Sequence, residues 1–172
     1  MVTTGQEPGA RVRTRLAELG LSLPAVAAPV AAYVPAVATG DHVHTSGQLP
    51  FVDGALPATG KVGAEVTTER AAELAAISCL NALAAIEDLV GDLDRVVRVV
   101  KLTGFVASDP AFTAQPTVIN GASELLGEVF GDAGRHARSA VGVAVLPLDA
   151  PVELELVVEL DGPAVPATPP AR

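Results

Sequence analysis

Residues 152–160, VELELVVEL, alternate apolar and acidic side chains almost without a break. Successive side chains of an extended strand point to opposite faces, so this stretch reads as a strand with two unlike faces. Val152, Leu154, Leu156, Val158 and Leu160 share one face; Glu153, Glu155, Val157 and Glu159 share the other. Residues 138–146 alternate as well. Ser139, Val141, Val143 and Val145 point one way, and Arg138, Ala140, Gly142, Ala144 and Leu146 the other. The valine side is expected to meet helices, and the small-residue side to lie open to a flat neighbour such as another subunit's sheet. Joined by a short Pro-containing turn, the two strands read as an antiparallel pair with Val145 near Val152. That register offsets Arg138 from Glu153 by about six residues, roughly 20 Å at strand rise.

The rest of the chain supplies partners for these strands. Residues 67–91, TTERAAELAAISCLNALAAIEDLVG, are the clearest helix. Thr67 or Thr68 can cap it, Glu69 suits its first turn and Gly91 ends it. Leu74, Ile77, Leu80, Leu83 or Ala84, Ile86 and Val90 form its apolar stripe. Residues 95–108, RVVRVVKLTGFVAS, are β-branched and predict a long strand. A second helix spans 116–131, with Val118, Ala122, Leu125, Leu126 and Val129 inward. Residues 11–21 predict a short helix, 27–40 an extended segment and 41–54 a strand followed by a turn. The order β-β-α-β-α-β-β puts two helices on one face of a mixed sheet of four or five strands. Residues 11–160 form one domain between a flexible N-terminus (1–10) and a flexible Gly/Pro-rich C-terminal tail (161–172).

Composition excludes several function classes. Eleven Lys and Arg against twenty Asp and Glu give a formal charge of −9. That disfavours a nucleic-acid backbone as partner, and an anionic ligand then needs a specific local cation. No apolar run is long enough to predict a membrane span. Cys79 is the single cysteine, so no intrachain disulfide or Cys-rich metal site is expected. With no apolar signal core at the N-terminus, a reducing cytoplasm is expected. Asp41, His42 and His44 could suggest metal binding, with the two histidines on one strand face, but no third ligand stands nearby and a structural or solvent-facing role is expected. GALPATGKV (54–62) superficially resembles a phosphate-binding loop, but its spacing is wrong and no Ser or Thr follows Lys61.

AYVPAVATGDHVHTSGQLP, VVRVVKLTGFVASDPAF, INGASELLGEVF and ARSAVGVAVLPLDAPVELE stand in this order in the chain. In that combination the sequence resembles the RidA (YjgF/YER057c/UK114) family over roughly residues 12–160, and RLAELGLSLP resembles a longer-headed branch of it. The resemblance implies a chorismate-mutase-like α+β fold and a homotrimer with ligand clefts between subunits. It implies cofactor-independent hydrolysis of 2-imino acids and enamines, such as 2-iminopropanoate and 2-aminoacrylate, to 2-keto acids and ammonia. A trimeric keto- or imino-acid binding protein without turnover is the second reading. RNA cleavage or inhibition of translation is the third, and the charge and scarcity of aromatics count against it.

The matched residues suit that chemistry. Arg138 matches the arginine that grips the substrate carboxylate with two parallel hydrogen bonds; a surface ion pair is its other reading. Glu153 matches the glutamate that activates water, or is one interface carboxylate among three with Glu155 and Glu159. Tyr33 matches a cleft-lining tyrosine, or packs in the core. Ser46 and Gly47, in the TSGQ turn, offer a hydroxyl and an open backbone N–H to substrate or water, beside their role in the turn. Asn120 matches a cleft residue, or makes a local polar contact. Ala140 stands where several family members carry cysteine, which disfavours thiol chemistry. The expected separation of Arg138 and Glu153 implies a site that takes them from two subunits.

Overall fold

The computed structural model describes residues 11–26 and 32–164. The expected ends at 1–10 and 165–172, and part of the extended segment at 27–31, lie outside the described residues. Among the described residues three α-helices, α1 (Arg11–Glu18), α2 (Thr68–Val90) and α3 (Gln115–Phe130), accompany five strands. These are β1 (Ala36–Thr39), β2 (His42–Thr45), β3 (Val96–Ala107), β4 (Ala137–Val143) and β5 (Val152–Leu160).

Local chemistry sets the helix ends. The Thr67 side chain accepts a hydrogen bond from the Arg70 N–H, relieving one of the four unpaired donors of the first turn of α2. Gly91, at φ 80°, closes the other end by donating its N–H to the Glu87 carbonyl. Pro116 sits in the first turn of α3, where a missing N–H does no harm. The cap of α1 comes from far along the chain: Asp94 accepts from the N–H groups of Arg11, at 2.9 Å, and Val12, at 2.8 Å.

The sheet order is β1-β2-β5-β3-β4, antiparallel throughout except for the parallel pair β3–β4. β3, α3 and β4 thus make one crossover unit, and the last strand slots between β2 and β3. Leu74, Leu83 and Ile86 of α2 and Ile119 and Leu126 of α3 are fully buried with Leu102, Leu154 and Leu156 of the sheet. This places α2 and α3 on one face, and α1 packs against α3. Arg95 donates to Asp161 and to the carbonyls of Gly162 and Pro163, which sets residues 161–164 against the start of β3.

Two sequence expectations are corrected here. β4 and β5 do not pair, because β3 lies between them. The faces of β4 are also reversed. Leu102, Gly104 and Val106 of β3 are buried under the helices, and their lateral partners are Arg138, Ala140 and Gly142. The small residues therefore make room for α3, not for a neighbouring subunit. A Cβ on Gly104 would stand 2.4 Å from Ile119 Cδ1, and one on Gly142 would stand 2.8 Å from Gln115 Nε2. Ser139, Val141 and Val143 go to the open face, where Lys101 Nζ donates to Ser139 Oγ at 2.9 Å. For β5 the expected faces hold: Val152, Leu154, Leu156 and Val158 are buried, and Glu153, Glu155 and Val157 point to the open side.

Candidate functional site

The candidate residues gather into two groups. Arg138, at the start of β4, reaches over to α3. Its Nη1 donates to Asn120 Oδ1 at 2.8 Å and to Ser123 Oγ at 3.1 Å. Asn120 is therefore brought to Arg138 as a tether. Ser123 Oγ lies 3.0 Å from His136 Nε2, and His136 Nδ1 lies 2.6 Å from the Gly134 carbonyl.

The second group surrounds Glu153 near the start of β5. Gly47 lies against it so closely that a Cβ there would fall 1.8 Å from Glu153 Oε1. The TSGQ turn is pinned in place from three sides. Gln48 and Leu154 exchange backbone hydrogen bonds of 2.8 and 3.1 Å. Ser46 donates its N–H to the Pro35 carbonyl at 2.8 Å and its hydroxyl to the Val34 carbonyl at 2.6 Å. Asn81 of α2 donates to the carbonyls of Leu49 and Phe51. Ser46 thus holds the segment next to Tyr33 rather than offering a free hydroxyl, and Tyr33 is 55% exposed, not in the core.

Among the described residues no hydrogen bond or ion pair reaches the Glu153 carboxylate. Burial raises its pKa above the ordinary glutamate value, and the neighbouring Glu155 raises it further. An unneutralised, partly desolvated carboxylate is a proton acceptor of increased basicity. Cys79, by contrast, is fully buried in α2 and its thiol is pushed up to about 12 by that burial, which removes it from nucleophilic chemistry near neutral pH. His42 Nδ1 is 2.7 Å from Asp41 Oδ1. No group of three His, Cys, Asp or Glu side chains suited to a metal ion occurs among the described residues.

The two groups do not meet within the chain. Arg138 is level with Leu102 and Glu153 with Phe105, three residues apart on β3 and one strand to either side of it. The corresponding backbone separation is about 14 Å. Arg138 bonds α3 on the helix face, whereas Glu153 points to the open face. The sequence-based separation of roughly 20 Å came from a strand pairing that does not exist. A smaller separation and opposite faces replace it.

Ser123, His136 and Asn81 were missed by the sequence reading. Ser123 is one helical step of three residues from Asn120, and His136 has the parity of Arg138. Those spacings carried a signal that they share a neighbourhood.

An α+β domain with helices on one face, a mixed sheet open on the other and no metal-ligand cluster among its described residues defines a class before it defines a protein. The family model described as "YjgF/chorismate mutase-like, putative endoribonuclease" matches residues 13–160, and the chain belongs to that family, the RidA/YjgF family. It is similar to Protein TCP17 of Trypanosoma cruzi, with 49% identity over 152 residues, 88% of this chain and 95% of that protein. Among solved structures, protein Atu1372 of Agrobacterium tumefaciens matches with a TM-score of 0.83 and 45% identity, covering 89% of this chain and 94% of that one. RidA from an Antarctic Psychrobacter matches with a TM-score of 0.55 and 27% identity, covering 78% and 94%.

Proposed function

We propose that this protein hydrolyses 2-imino acids and their enamine tautomers to 2-keto acids and ammonia, as a homotrimer whose cleft combines Arg138 of one protomer with Glu153 of the next. The observation that carries this reading is Glu153: half-buried, without a partner among the described residues, and with its pKa raised. A carboxylate left in that state is a poor structural element and a good proton shuttle. Arg138 supplies the complementary need, a permanent cation for the substrate carboxylate on a protein of net charge −9.

The reaction is R–C(=NH)–COO⁻ plus water giving R–C(=O)–COO⁻ plus ammonia. Arg138 holds the carboxylate, which fixes the C=N carbon. Ionised Glu153 takes a proton from water as its oxygen attacks that carbon, and passes it to nitrogen, leaving a carbinolamine. Glu153 then carries the hydroxyl proton to nitrogen as the C–N bond breaks and ammonia departs. Every proton comes from the one water, so the chemistry calls for no cofactor.

The test is a coupled assay in which an amino-acid oxidase generates the imino acid in situ. The protein should shorten the imine's lifetime. Arg138→Ala should lower kcat/KM by about 100-fold, the loss of two hydrogen bonds to a charged partner. No acceleration over spontaneous hydrolysis with any imino acid overturns the proposal, and keto-acid binding without turnover would favour the binding-protein reading. RNA cleavage that survives Arg138→Ala would favour the activity named in the family description.

A further inference from the structure

The polarity of the hydrogen-bond chain at Arg138 is set by its two ends. Gly134 contributes a carbonyl that only accepts, so in the neutral imidazole His136 Nδ1 carries the proton and Nε2 is an acceptor. Arginine only donates, so Ser123 Oγ accepts from Arg138 Nη1 and gives its own hydrogen to His136 Nε2. Both hydrogens of Nη1 are then used, one on Ser123 and one on Asn120. Among the described residues no acceptor reaches Arg138 Nε or Nη2. The guanidinium is thereby divided into a tethered nitrogen and a free edge whose two parallel N–H groups match the spacing of a carboxylate.

We propose that Ser123 and His136 are positioning residues, which lock the Arg138 guanidinium so that its Nε/Nη2 edge receives the ligand carboxylate. This rests on the reading of Arg138 as the carboxylate anchor. Arginine has considerable rotamer freedom, and a guanidinium free to swing must be immobilised at the moment of binding. Here Asn120 and Ser123 of α3 hold it beforehand. Ser123 is itself held by His136, whose ring is held by the backbone of the 3-10 turn Gly131–Gly134. The chain thus ties the anchor to the body of the fold from helix, turn and strand together. Asn120 alone fixes one hydrogen of Nη1; the second bond, to Ser123, fixes the plane of the guanidinium.

The experiment measures pyruvate binding to the full-length protein by calorimetry, with methyl pyruvate as the uncharged control, alongside KM and kcat in the imine assay. Thermal unfolding checks that each variant is folded. Ser123→Ala should weaken pyruvate binding about tenfold, the loss of one hydrogen bond to the charged guanidinium, and His136→Phe, which removes only the neutral bond that orients Ser123, should weaken it by about threefold to tenfold. Both should raise KM with kcat little changed and leave methyl pyruvate binding as it was. Ser123→Thr, which keeps the hydroxyl, should restore wild-type affinity. Wild-type pyruvate affinity in folded Ser123→Ala or folded His136→Phe overturns the positioning role, while Arg138→Ala still abolishing pyruvate binding would leave the anchor standing. Unchanged pyruvate binding in Arg138→Ala would remove the anchor reading itself. A loss in Ser123→Ala that Ser123→Thr does not restore also counts against the proposal.

Discussion

At the scale of the residue, Glu153 is where pH acts on stability and, in the proposed reaction, on rate. Its folded-state pKa lies above the ordinary glutamate value, so between those two values the native protein holds more protons than the unfolded chain. Stability therefore falls as pH rises through that window, the opposite of the usual salt-bridged carboxylate. Glu153→Gln should abolish that fall and raise the melting temperature at neutral pH, while removing the proton shuttle. Calorimetric melts of wild type and variant from acid to neutral pH check this, and a melting temperature lowered by the variant would contradict it. Gly47 belongs to the same argument. Its missing side chain leaves the space that Glu153 Oε1 occupies, so Gly47→Ala must push the carboxylate away. The glutamate is flexible, so the fold should persist while the imine-hydrolysis rate drops toward that of Glu153→Gln.

At the scale of the element, much was readable in advance. The capping threonine and the terminal glycine bound α2 where the sequence placed them, because both act through local backbone geometry. β3 and α3 also lie within a residue or so of expectation. What was not readable was which face of β4 turns inward. Alternation tells which residues share a face but not which neighbour covers it, and hydrophobicity favoured the valines. The deciding fact is the closeness of α3, which only Gly104, Ala140 and Gly142 can accommodate. The cap on α1 was equally hidden, since Asp94 is far from Arg11 in sequence. Asp94→Ala should release the first turn of α1 and destabilise the protein by about 0.5–2 kcal/mol. Hydrogen exchange should then show amides at 11–18 losing protection before those of α2; equal protection in the variant would refute the remote cap.

At the scale of the whole molecule, the open face of the sheet is the feature left without a cover among the described residues. Val37 and Val141 are 51% and 44% exposed there, beside Glu153 and Glu155. The case for a subunit interface therefore passes from the small residues of β4 to its valines. If one cleft takes Arg138 and Glu153 from adjacent protomers, two impaired variants should complement each other. Arg138→Ala and Glu153→Gln, each strongly impaired alone, should regain about a quarter of wild-type activity when co-expressed and randomly mixed in trimers. Light scattering gives the assembly state, and Val141→Lys should shift it toward monomer with loss of activity. Absence of complementation in verified mixed trimers would show that the site does not span subunits.

The sequence by itself determined the elements, their order, the ends of α2, the inward face of β5 and the side-chain types suited to acid–base and anion-binding chemistry. Each of those follows from local propensity, period or side-chain type, which a chain carries before it folds. Tertiary structure alone decided that β5 lies between β2 and β3, that the arginine faces a helix rather than open space, and that a serine and a histidine stand behind it. It also decided that Glu153 stands against Gly47 with no partner among the described residues. These are outcomes of long-range packing, in which one close helix reversed a face that hydrophobicity had assigned the other way.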